Sequence, residues 1–100
     1  MDALFQYMNQ IRQLCQKHNV SELFVFGSIL GDSYSEDSDI DFLVDFSEVS
    51  LEEYADNYFN LKFSLERLLN RDVDLLERKA LQNPYLLESI NSTKQLVYEA

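Results

Sequence analysis

Apolar residues recur at Leu4, Met8, Ile11 and Cys15, three or four apart, and Phe5 and Leu14 widen the stripe. That period predicts an amphipathic helix from residue 2 to about 18 with one buried face. Asp2 is its expected N-cap and His18-Asn19 its expected end. His18 itself reads as a surface residue compatible with the helix dipole rather than as a catalyst. The next run, Leu23-Phe24-Val25-Phe26, is unbroken apolar and closes on Gly27-Ser28, which predicts a central strand. Residues 39–46, DIDFLVDF, predict a second strand entered through the polar turn SYSEDS. Leu51, Tyr54, Tyr58, Leu61, Leu65 and Leu68 restore the helical period over residues 51–69, with Ser50 and Glu53 at capping-box positions. Phe59 and Phe63 fall off that stripe, either as local cover for a loop or second layer, or as a partner surface. Residues 72–76 predict a third strand, Tyr85 to Ile90 a short helix after Asn83-Pro84, and Leu96 to Tyr98 a final edge strand.

The order α-β-β-α-β-α-β indicates an α/β or α+β fold, a small mixed sheet with helices packed on it. At 100 residues the chain is expected to form one domain, 1–100. With 46% apolar residues and only two glycines and one proline, it can bury a core and is not a disordered chain. The one cysteine, Cys15, excludes an internal disulfide and a cysteine zinc site, and reads as a small buried hydrophobe. No apolar run approaches the ~20 residues of a membrane span, and the N-terminus lacks signal-peptide character. A cytoplasmic protein is the expectation. Eighteen acidic against eight basic residues give a net charge of −10. That is a poor match for nucleic acid and a good one for a divalent cation or a basic protein partner.

Asp37, Asp39 and Asp41 crowd together within this acidic chain, and three readings compete for them. An EF-hand loop would use Asp37, Asp39, Asp41, Asp45 and Glu48, but its sixth position needs glycine and carries Phe42. A solvated turn followed by a strand is the plain alternative, although Asp at both 39 and 41 is unusual within a strand. A phosphoryl-transfer metal site is the third. Alternation puts Asp39 and Asp41 on one face, about 7 Å apart at a rise of ~3.3 Å per residue. Carboxylates so placed can converge on a pair of Mg²⁺ ions. Asp74 is the candidate third carboxylate, with Asp72 on the same face as the fallback. Gly27 and Ser28 would let backbone N–H groups and a hydroxyl approach phosphate.

Gly-Ser, ten residues, Asp-x-Asp and a later strand Asp together resemble the DNA polymerase beta-type nucleotidyltransferases. The match is closest to the minimal nucleotidyltransferases, and it runs through FVFGS, SDIDFLV, the long helix, VDLL and NPYLLESINSTKQLVYE. The resemblance implies nucleotidyl transfer from an NTP, usually ATP, with Mg²⁺ and two ions expected. It implies that Gly27 and Ser28 hold the triphosphate and that Asp39, Asp41 and Asp74 bind metal. Asp74 would also take the proton of the attacking hydroxyl. Minimal nucleotidyltransferases commonly act as antitoxins of HEPN-domain toxins, typically ribonucleases, by adenylylating a toxin tyrosine. Relatives often read Gly-Ser-x-Ala-Arg-Gly, whereas this chain has Gly27, Ser28, Ile29, Leu30, Gly31 and Asp32. The usual arginine is therefore absent, and the cations considered in its place are Lys62, Arg67 and Arg78. Two other functions fit the same residues. One is an antitoxin that neutralises its partner by binding, through Phe59 and Phe63. The other is a nucleotidyltransferase acting on a small molecule.

Overall fold

The structure, a computed structural model, describes residues 2–27 and 39–100. Its elements are α1 (Asp2–Phe5), α2 (Met8–Lys17), β1 (Val20–Phe26), β2 (Ile40–Phe46), α3 (Leu51–Leu69), β3 (Val73–Glu77), α4 (Pro84–Thr93) and β4 (Gln95–Glu99). The strands form one mixed sheet in the order β3-β2-β1-β4. β1 is antiparallel to β2 and β4, and β2 is parallel to β3. Because α3 joins the parallel pair, the chain contains the helical crossover that parallel strands require.

The two sheet faces bury different partners. Phe42 and Val44 of β2, Leu23 and Val25 of β1 and Leu75 of β3 pack with Ile11 and Cys15 of α2 and Leu61 and Leu65 of α3. The opposite face holds a smaller cluster of Phe24, Leu43 and Ile90, so α4 covers that side. Tyr58 and Glu66 of α3 also reach the free edge of β3. The Tyr58 hydroxyl donates to the Leu75 carbonyl, and the Val73 N–H donates to Glu66 Oε2 at 3.0 Å. These bonds satisfy edge groups that would otherwise be open to another strand.

The long helix, the mixed sheet and the β4 edge agree with the sequence pattern, and several details do not. The first helix is broken: Tyr7, at φ −109° and ψ 5°, stands between α1 and α2, and its N–H bonds to the Leu4 carbonyl. α1 starts at Asp2 itself rather than after it. Phe5 leaves the stripe and is exposed. His18 is buried rather than on the surface, with 6% exposure, because its Nδ1 lies 2.8 Å from the Leu14 carbonyl in the last turn of α2. Ser50 precedes α3 but its side chain makes no capping hydrogen bond; the Glu53 N–H bonds to its carbonyl instead. Cys15 is buried and free, and burial pushes its thiol up to about 12. No helix among the described residues is long and apolar enough to cross a membrane.

Candidate active site

The site is built where β2 enters the sheet. Ile40 and Phe42 turn into the larger core, which directs Asp41 to the opposite face, and Asp39, immediately before the strand, shares that direction. Parallel pairing sets Asp41 beside Asp74 as register partners, on strands about 4.8 Å apart. Asp39 and Asp74 are exposed and Asp41 is half-buried. Asp41 carries the electrostatic consequence: burial first, then Asp74, then Asp39 raise its carboxyl above the ordinary carboxylate range. Asp74 rather than Asp72 is thus the carboxylate of β3 whose charge acts on Asp41; Asp72 is exposed and its carbonyl accepts the Ile40 N–H. Asp74 also acts on Tyr58, whose hydroxyl is raised by burial, then by Asp74, then by Glu77.

Across the sheet, Asp41 pairs with Phe26, and Gly27 follows directly. Gly27 has φ +82°, a conformation L side chains rarely adopt. A Cβ built there would collide with Asp41 Oδ2 and lie 3.2 Å from its Cγ. The end of β1 therefore approaches the acidic strand as closely as a hydrogen atom allows. Ser28, Asp37 and Gly31-Asp32 lie outside the described residues.

Among the described residues, no three His, Cys, Asp or Glu side chains are gathered as a ready-made metal cage. The donor chemistry nevertheless fits a hard divalent cation. Carboxylate oxygens on adjacent strand positions suit such an ion, and the repulsion from Asp74 and Asp39, which adds to burial in raising Asp41, is what a cation between them would relieve. The cations considered from sequence stand elsewhere in the fold. Lys62 lies 6.0 Å from the centre of the Phe63 ring, Arg67 lines a cleft between α2 and α3, and Arg78 pairs with Glu22 at 3.7 Å.

Sequence reasoning passed over Lys94. The β1–β4 register ends at Val25 and Gln95, so one step further places Lys94 beside Phe26, the residue that pairs with Asp41 on its other side. Two strand spacings separate Asp41 from Lys94, roughly 10 Å between Cα atoms. The ammonium lies 4.3 Å from the Phe24 ring centre and donates to Asn91 Oδ1 at 2.7 Å. Only the tertiary pairing of β4 with β1 shows this proximity.

Phe59 and Phe63 are on α3, across the sheet from the carboxylates, with exposures of 47% and 50%. Their rings stack at 5.9 Å with 26° between planes.

The family model described as polymerase beta, nucleotidyltransferase matches residues 9–100. A provisionally named protein adenylyltransferase of Methanocaldococcus jannaschii is 31% identical over 99 residues, covering 91% of this chain and 96% of that protein. A solved structure of a provisionally assigned minimal nucleotidyltransferase superposes with a TM-score of 0.77 at 31% identity, covering 94% of this chain and 92% of that one. A chain from the complex of a tri-AMPylated Shewanella oneidensis HEPN toxin with an MNT antitoxin shares the fold, with a TM-score of 0.65. Its identity is 18%, and the match covers 95% of this chain and 71% of that one.

Proposed function

This chain belongs to the polymerase beta nucleotidyltransferase family, among its minimal members, and from that premise we propose a specific activity. The protein transfers AMP from ATP, with Mg²⁺, to a tyrosine of a HEPN-type ribonuclease toxin in the cytoplasm, and is that toxin's antitoxin. The observation that carries the proposal is the register of Asp41 beside Asp74, with Asp39 on the same face and the Gly27 backbone pressed against the Asp41 carboxylate. The AMPylated toxin in the related complex supports the choice of acceptor.

The chemistry is an in-line displacement. The tyrosine oxygen bonds to the α-phosphorus, the bond from that phosphorus to the β-bridging oxygen breaks, and pyrophosphate leaves. Asp74, exposed at the rim, receives the tyrosine proton. Gly27 lets the backbone approach the triphosphate, with Ser28 donating its hydroxyl. Lys94 supplies positive charge to the polyphosphate from the same sheet face. Asp39, Asp41 and Asp74 would hold the metal, which when bound offsets the charge that builds on the phosphates. α4 and its cluster exclude water from the floor beside Leu43.

The test uses labelled ATP, Mg²⁺ and the HEPN partner. Label is expected on the partner, with none from an Asp39→Asn/Asp41→Asn variant and a raised KM for ATP in Lys94→Ala. If the Asn variant neutralises the toxin as well as the parent and no label moves, the protein acts by masking instead.

A further inference from the structure

The exposed face of α3 carries acid toward one end and base toward the other, so opposite charges meet when it is laid against itself reversed. Glu52 and Asp56 stand toward its N-terminal end, Phe59 and Phe63 in the middle and Arg67 toward its C-terminal end, all exposed. At 100° per residue these five positions share one side of the helix. Among the described residues, neither Asp56 nor Arg67 has an ion-pair partner in its own chain. We propose that this face is a homodimer interface in which two copies pair α3 antiparallel about a two-fold axis passing between Phe59 and Phe63.

The register follows from the sequence. Residue 61 is the midpoint of Phe59 and Phe63, so each Phe59 meets Phe63 of the second copy. Asp56 lies five residues to one side and Arg67 six to the other. At 1.5 Å per residue, Asp56 and Arg67 of the second copy stand within about 1.5 Å of the same height. A two-fold axis makes this pair occur twice. Phe59 and Phe63 are already stacked in the single chain, so little side-chain freedom remains to be lost on association. The second copy fits better than an acceptor protein, because the carboxylates lie across the sheet from α3. Dimerisation there leaves both acidic faces open. The patch is small and each chain carries −10, so the dimer belongs to the weak class.

Sedimentation equilibrium over a concentration series tests this, with circular dichroism checking the fold of each variant. The parent is expected to move toward twice the 11.8 kDa of one chain. Asp56→Arg sets Arg against Arg, and Arg67→Asp sets Asp against Asp, so each alone should weaken the dimer roughly tenfold or more. Mixing the two variants restores both opposite-charge pairs and should recover the dimer. A parent that stays monomeric at every concentration overturns the proposal. So does a folded pair of variants that dimerises like the parent or gains nothing on mixing.

Discussion

Replacing Gly27 with alanine addresses the closest approach in the site, and the structure separates its cost into two parts. At φ +82° any L side chain is strained, by about 1–2 kcal/mol. The second part is the collision of the new Cβ with Asp41 Oδ2 and Cγ, comparable to overpacking, about 1–3 kcal/mol. Asp41→Ala removes both colliding atoms but leaves its own Cβ, at 3.5 Å from the new methyl group, an ordinary contact. In that background Gly27→Ala should cost only the backbone part. Urea unfolding of the parent, both single variants and the double variant closes the cycle. The expected coupling is about 1–3 kcal/mol, with Gly27→Ala less harmful when Asp41 is already truncated. Equal costs in the two backgrounds, within about 0.5 kcal/mol, would refute the reasoning that glycine stands at 27 to admit the Asp41 carboxylate.

Asp41 has a folded-state carboxyl raised by burial, Asp74 and Asp39, so the folded chain holds that proton more tightly than the unfolded one. Without divalent cation, this group's contribution should be fully present below the ordinary carboxylate range and be lost as pH rises through the raised folded-state value; Asp41→Asn should flatten that part of a melting-temperature profile. Mg²⁺ should raise the melting temperature of the parent at neutral pH and leave Asp39→Asn/Asp41→Asn nearly unmoved. The Asn83 side chain accepts from the Tyr85 and Leu86 N–H groups at the start of α4, so Asn83→Ala should cost about 1 kcal/mol in chemical unfolding. Tyr58→Phe removes the hydroxyl that satisfies the Leu75 carbonyl and should cost about 0.5–1.5 kcal/mol, with faster amide exchange along β3.

Much of this arrangement was legible because periodicity and special residues report different things. The three-four spacing through Leu61 and Leu65 marked α3 with the same bounds the structure has, since a core-facing stripe is dictated by one packing direction. The acid pair was legible because two carboxylates on one face of a strand oppose its propensity. The break at Tyr7 was hidden because the apolar period continues across it, Leu4 and Ile11 being both buried. His18 did carry a signal: it continues the Ile11 and Cys15 spacing, and its ring can be buried once the Leu14 carbonyl supplies a partner. Lys94 carried none, because its nearness to Asp41 arises from β4 pairing with β1, at the other end of the chain. The outward position of Phe59 and Phe63 was readable from the helical wheel, but which face of the sheet α3 covers was not.

Catalytic transfer to a protein acceptor is measured directly by intact-mass spectrometry of the HEPN partner. After incubation with this protein, ATP and Mg²⁺, the partner is expected to gain the mass of AMP on a tyrosine. The Asp39→Asn/Asp41→Asn variant should leave its mass unchanged. A partner that binds the parent protein yet never gains AMP, under conditions where ATP and Mg²⁺ are saturating, would contradict the proposed activity.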